Sequence, residues 1–189
     1  QGMGQMSGAH LLDAETGEYN ITYARHLFTD QEVRLLTVAT RVQGLMVAPG
    51  NPLGIRGMED LARTDVTLAN RNRGSGTRLW LDMTLRRLNL PAEGIRGYQE
   101  TYTTHTAVAE AVQQGKASAG LGLMAAARAH GLDFIPLFEE RYDLTLPLGN
   151  RSLPALQPLL NDLQSAEFRR MVESLGGYDT HHTGDEIIP

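Results

Sequence analysis

The chain has 189 residues, enough for one domain or two small lobes around a buried core. Hydrophobic residues make up 41% and charged residues 21%, the balance of an ordinary globular protein, and the net charge of −5 argues against a dedicated nucleic-acid binder. Cysteine is absent, which excludes disulfides and thiolate metal sites, and no apolar run approaches membrane-spanning length.

The first six residues, Gln1-Gly2-Met3-Gly4-Gln5-Met6, have neither the basic start nor the apolar core of a signal peptide. Gln5 to Leu12 reads as a short strand that runs into the turn Asp13-Ala14-Glu15-Thr16-Gly17-Glu18. Tyr19 to Phe28 reads as a short helix. Val33 to Val38 and Gly44 to Ala48 read as two separate strands, the second stopped by Pro49-Gly50-Asn51-Pro52. Met58 to Arg63 is a helix of one to two turns, with Glu59 and Asp60 favouring its start. Val66 to Ala69 is an apolar strand, Asn70 to Arg78 a glycine turn, and Leu79 to Leu88 a helix stopped by Pro91.

Ile95 to Tyr98 reads as a further short strand. Thr103-Thr104-His105-Thr106 leads into a helix over Ala107 to Gln114, with Gly115 at its C-terminal stop. Ala117 to Leu123 is a strand of small residues, and Met124 to His130 a helix. Asp133 to Leu137 and Tyr142 to Pro147 are strands. Pro154 to Leu163 and Ala166 to Leu175 are helices, the second capped by Ser165 and ended by Gly176. Strands alternating with helices predict a mainly parallel α/β sheet, with ligands beyond the carboxyl ends of its strands.

The segment Gly74-Ser75-Gly76-Thr77-Arg78 carries the strongest chemical signal. A helix N-terminus presents N–H groups with no intrahelical partner and the positive end of the dipole, so a strand, a small-residue turn and a helix start make an anion site. Two glycines allow close backbone approach, Ser75 and Thr77 add hydroxyls, and Arg71, Arg73 and Arg78 surround the turn. The segment is neither the phosphate loop of nucleotidases nor a nucleophile elbow. A purely structural reading is a capped helix start flanked by solvated arginines. Thr103 to Thr106 admits the same two readings, with His105 as a donor that titrates near neutral pH.

The remaining candidates are weaker. His181 and His182 are adjacent, so they point apart, and no acidic or thiol partner completes a metal set. His10 at a strand end is open to a core or a cleft role. Trp80 reads as the core anchor of its helix, and the methionines, Met3 among them, as filler without metal spacing. No catalytic residue and no metal ligand is assigned.

Taken together, several motifs resemble the periplasmic-binding-protein-like domain of bacterial molybdate-linked proteins. They are His10-Leu11-Leu12-Asp13 with Thr16-Gly17-Glu18-Tyr19-Asn20, then Gln43-Gly44-Leu45, Pro49-Gly50-Asn51-Pro52, Asn70-Arg71 and Gly74 to Arg78. The pattern continues through Thr104-His105, Gly120-Leu121-Gly122, Ala125-Ala126-Ala127, Gly131 to Leu137, Glu140 to Leu144, and Gly177-Tyr178-Asp179 through Thr183-Gly184.

The resemblance implies a type II periplasmic-binding-protein fold, two α/β lobes that close on a ligand through two hinge strands. It implies a first lobe of residues 1–51 and 142–189 and a second of 52–141, with hinge strands at Leu45 to Pro49 and Tyr142 to Pro147. Family domains begin with a further strand–helix–strand unit, so the resemblance implies that lobe one lacks its N-terminal portion. The ligand residues carried over are Ser75, Gly76, Thr77, Arg78, Thr104, His105 and Tyr142. An incomplete lobe one would expose a sheet edge for self-association.

The leading expectation is a non-enzymatic, cytoplasmic binding domain for molybdate or tungstate, with no cofactor and no membrane insertion. It would serve sensing, transport or molybdenum-cofactor metabolism beside a fused DNA-binding or molybdopterin-biosynthesis domain. One alternative keeps the fold and binds a phosphorylated or pterin-type molecule through the arginines. A distant one is a serine-dependent hydrolase with Ser75 as nucleophile and His105 as base.

Overall fold

Alternation of apolar side chains decides how the sheet of this α/β protein is covered. The structure, a computed structural model, describes residues 4–13 and 15–189, so Met3 and the Ala14 position of the predicted turn lie outside the described residues. The strands are β1 (Ser7–Ala9), β2 (Val33–Val47), β3 (Leu68–Arg71), β4 (Thr101–Tyr102), β5 (Ala119–Leu123), β6 (Asp133–Pro147), β7 (Tyr178–Asp179) and β8 (Glu186–Ile187). The helices are α1 (Ile21–Leu27), α2 (Gly76–Arg87), α3 (His105–Gln113), α4 (Met124–Ala129), α5 (Gln157–Gln164) and α6 (Ala166–Ser174). The chain divides into two compact units, Gln1–Arg41 with Glu140–Pro189, and Val42–Glu139. The long strands β2 and β6 each carry the chain from one unit into the other.

In the second unit β2 pairs antiparallel with β5, Gln43 opposite Leu123 and Val47 opposite Ala119. β3 pairs parallel with both β5 and β4. Period-two alternation then assigns the faces. Leu45, Val47, Leu68 and Leu121 join Leu81 and Leu85 of α2 in one core. Met46 and Ala69 join Val108, Ala109, Val112 and Ala127 of α3 and α4 in the other. β5 presents only Gly120 and Gly122 to α3. A Cβ on Gly120 would lie 2.5 Å from Val108 Cγ1, and one on Gly122 3.0 Å from His105 Nδ1. Those missing side chains let α3 lie directly on the strand.

In the first unit β1 pairs antiparallel with β6, and β2 pairs antiparallel with β7 and β8. Ala24 of α1 packs with Val33 and Leu35, backed by Ile21, Phe28 and Ile187. Ser165 caps α6 by accepting from the Phe168 N–H at 3.0 Å, as its sequence predicts, and Gly176 follows at φ 84°.

The mainly parallel sheet expected from alternating elements is in fact mixed, because only β3, β4 and β5 run together. Two further expectations are corrected. The two predicted strands at Val33 and Gly44 are one strand of fifteen residues, and so are those at Asp133 and Tyr142. Polar residues that read as breaks are held inside the ladder: Thr40 and Arg41 pair with Asp179 and Tyr178, which lie far away in sequence. Ile95 to Tyr98 forms turns rather than a strand, since Gly97 takes φ 80° there, where a Cβ would lie 2.2 Å from the Leu68 carbonyl oxygen.

The charged centre of β6 is the clearest case. Glu140 is 2% exposed and receives Arg41 Nε at 2.6 Å and His10 Nδ1 at 3.1 Å. Asp143, fully buried, accepts from Asn20 Nδ2 at 2.7 Å and Arg141 Nε at 2.9 Å. Burial opposes ionisation of Glu140, but the His10 hydrogen bond and the Arg41 charge outweigh it and hold its pKa below the ordinary 4.5.

A folded pKa below the unfolded one stabilises the fold above the unfolded value and loses that stabilisation as pH falls through the folded value. Urea unfolding between about pH 6 and pH 3 is therefore expected to show a stability loss below pH 4.5 that Glu140→Gln diminishes. A second test concerns packing. A Cβ at Gly44 would meet the Ile135 carbonyl oxygen at 2.1 Å, so Gly44→Ala is expected to destabilise the protein by about 1–3 kcal/mol in the same assay.

Candidate functional site

Three parallel strands that point one way put their following turns at one edge of the sheet. β3 leads into the turn Asn72 to Ser75 and then α2, and β4 leads into Thr103-Thr104 and then α3. The two turns are stitched together in the second unit. The Asn72 N–H donates to the Tyr102 carbonyl at 3.1 Å. Arg71 donates from Nε to the Tyr102 carbonyl at 3.2 Å and from Nη2 to the Thr103 carbonyl at 2.9 Å. Gln43 reaches the same edge from β2, since it lies opposite Leu123, the last residue of β5.

Ser75 is the N-cap of α2. Its backbone is extended (φ −80°, ψ 144°), its Oγ accepts from the Arg78 N–H at 3.2 Å, and its hydroxyl donates to the Asn72 carbonyl at 3.0 Å. The cap serves the third N–H of the helix. The N–H groups of Gly76 and Thr77, the first two helical residues, stand outside the helical ladder and point out of the positive end of a twelve-residue helix. Gly74, at φ 89°, supplies the left-handed step that turns the chain into this cap. Thr104 repeats the pattern at α3, where its Oγ1 accepts from the Ala107 N–H at 3.0 Å. The residues of both turns carry no carboxylate.

The structure brings Ser75, Gly76, Thr77, Thr104 and His105 to this edge of the second unit. Thr77 is 2% exposed, and its hydroxyl donates to Gln43 Oε1 at 2.8 Å. His105 packs against Gly122 at the end of β5. Arg78 is also in the first turn of α2, but its side chain folds back along the helix. It donates to Asp82 at 2.8 Å and lies 4.1 Å from the Tyr98 ring centroid, and it is 3% exposed. Tyr98 donates to the same Asp82 oxygen at 2.7 Å. Burial works against the Arg78 charge, but the hydrogen bonds to Asp82 and Tyr98 prevail and raise its pKa. Two of the three arginines around the turn thus hold protein groups, Arg71 its neighbouring carbonyls and Arg78 its own helix, while Arg73 is exposed.

Tyr142 lies in the first unit. Its ring stacks on His10 with centroids 5.8 Å apart, under the Arg41 guanidinium at 4.9 Å, and its hydroxyl covers Gly8. Tyr19 is close to the same charges. Burial, with the Glu140 charge adding to it, pushes its phenol up to about 12. His10 therefore sits in an ion-paired cluster. His182 pairs with Asp185 at 2.8 Å on the surface, and among the described residues no group of His, Asp or Glu could hold a metal. Trp80 is partly buried and stacks on Phe138 at 3.9 Å.

Gln43, which also stands at this edge, is a candidate that the sequence did not single out. Among the described residues its Nε2 has no hydrogen-bond partner, although the residue is fully buried. The sequence signals were its place in the Gln43-Gly44-Leu45 motif of the resemblance and its position beside an apolar strand, where a polar amide has no packing reason to stand. One consequence of this geometry is testable. Asp82→Asn would leave the Arg78 guanidinium nearly buried without its counter-charge, an expected loss of about 1–3 kcal/mol in thermal or urea unfolding.

Comparison with known proteins agrees with this architecture. The PBP superfamily domain matches residues 1–164. The chain is 38% identical over 188 residues to the uncharacterized protein YvgK of Bacillus subtilis (strain 168), covering 100% of this chain and 60% of that protein. It thus spans less than two thirds of that relative's length. A phosphate ABC transporter substrate-binding protein with bound phosphate from Clostridium perfringens has a similar structure. Its TM-score is 0.60 and its identity 12%, covering 92% of this chain and 78% of that one. The substrate binding domain of a protein assigned as a molybdenum ABC transporter from Clostridium difficile gives a TM-score of 0.55. It is 16% identical, covering 84% of this chain and 71% of that one. At these identities the structural likenesses show the fold.

Proposed function

The chain belongs to the PBP superfamily, and from that premise we propose that it is a binding domain for a small oxyanion, molybdate or tungstate first. The observation that carries the reading is the carboxyl edge of β3, β4 and β5 in the second unit. There the Gly76 and Thr77 N–H groups project from the α2 N-terminus beside a second capped helix start, without a carboxylate in either turn. A dianion held by neutral donors needs no cationic partner, because hydrogen bonds to a charged group are strong and their strength grows away from water. The engagement of Arg71 and Arg78 with protein groups fits an ion gripped by backbone better than a phosphate ester gripped by guanidinium.

On this reading the domain binds rather than catalyses. The Ser75 hydroxyl both accepts from Arg78 and donates to Asn72, which suits a cap and not a nucleophile. The phosphate-bound and molybdenum-transport proteins of similar fold lend support to an oxyanion ligand. We place the domain in cytoplasmic sensing or molybdenum-cofactor metabolism, as part of a longer protein with a DNA-binding or molybdopterin-biosynthesis partner domain.

Calorimetric titration of the chain with molybdate, tungstate, sulfate and phosphate tests the reading. Saturable heat is expected for molybdate and tungstate, and no heat for any of the four overturns it. Gly76→Pro removes one backbone donor at the position of a helix where proline is best tolerated, after a residue already extended. It is expected to weaken binding at least about tenfold while leaving the melting temperature nearly unchanged.

A further inference from the structure

We propose that Gln43 contacts the ligand: its buried Nε2 donates to an oxygen of the anion held at the α2 N-terminus, and Thr77 positions the amide for that bond. The proposal rests on the oxyanion reading of the second unit and names the side chain that completes it.

The argument begins with an imbalance. Gln43 is fully buried in β2, and a buried amide ordinarily satisfies both of its ends. Here only the oxygen is satisfied, by the Thr77 hydroxyl at 2.8 Å, itself within a 2% exposed residue. Among the described residues the nitrogen, with two N–H donors, has no acceptor. Leaving such a donor unmatched costs its full desolvation, so an apolar residue would be the stable choice for an inert core position.

Location gives the imbalance a purpose. Thr77 is the second residue of α2, and its N–H is one of those that project from the helix start. The amide that its hydroxyl grips therefore lies against that first turn, at the sheet edge where Gln43 faces Leu123. The hydroxyl takes the oxygen end of the amide, which orients the nitrogen end as a donor. A fixed donor beside two backbone donors suits a ligand rich in acceptor oxygens and repels a cation. It also adds a directional contact that the helix dipole alone lacks.

Molybdate titration of four single variants and one double variant tests this. Gln43→Met keeps length and apolar bulk without the donor, and is expected to bind at least about tenfold more weakly. Gln43→Glu puts an acceptor where a donor is required, and is expected to bind more weakly still. Thr77→Ser, which keeps the hydroxyl, is expected to bind like the wild type, whereas Thr77→Val, which frees the amide to turn, is expected to weaken binding. The double variant Gln43→Met/Thr77→Val removes both partners of the buried hydrogen bond, a change close to neutral for folding, so loss of binding in it cannot be loss of fold. Circular dichroism and the unfolding midpoint are recorded for each.

Wild-type affinity in the double variant, or in Gln43→Glu, overturns the proposal alone. Absence of binding by the wild type overturns the oxyanion reading and this proposal with it.

Discussion

The second unit depends on two missing side chains. Gly120 and Gly122 leave one face of β5 bare, and α3 lies where their Cβ atoms would be. With any larger residue there the helix would have to lift off the strand, since Val108 and His105 already occupy that space. The close approach fixes the height of the α3 start relative to the sheet edge. It therefore fixes where Thr104 and His105 stand beside the turn that opens α2. A packing requirement in the middle of a strand thus determines the geometry at its end.

The first unit follows a different rule. Its long strand β6 carries Glu140, Arg141 and Asp143 through the interior, and they are tolerated because each carboxylate has partners: Arg41 and His10 for one, Asn20 and Arg141 for the other. Buried ion pairs add little net stability over apolar packing, but removing one partner is costly. The cluster is better understood as a register device, since a shift of one residue would turn every one of these groups to the wrong face. Its members come from the N-terminal segment, β2 and β6, so it also ties together parts of the chain that are remote in sequence. Polar groups thus serve two ends in this protein. In the first unit they pair with one another, Asp143 Oδ1 excepted, and at Gln43 one of them is left with a donor to offer.

Much of the local structure was legible from residue order. Both helix caps at the candidate site, Ser75 and Thr104, are short hydroxyl side chains, and both cap as that chemistry dictates. Gly115, Gly131 and Gly176 end helices with positive φ, the conformation for which glycine is suited. The glycine turn before α2 was readable for the same reason. What misled was polarity within long strands. Thr40, Arg41, Glu140 and Arg141 look like loop residues until their distant partners are known, so two fifteen-residue strands read as four short ones.

The sequence by itself determined the alternation of strands and helices, their caps and stops, and the small-residue turn at the head of α2, because each depends on interactions within a few residues. Tertiary structure alone decided the strand directions, the packing of Arg78 on the Tyr98 ring, and the burial of Gln43 against Thr77. Gln43 and Thr77 meet across 34 positions of chain, and contacts at such range follow from how faces pack and which groups find partners, not from local propensity.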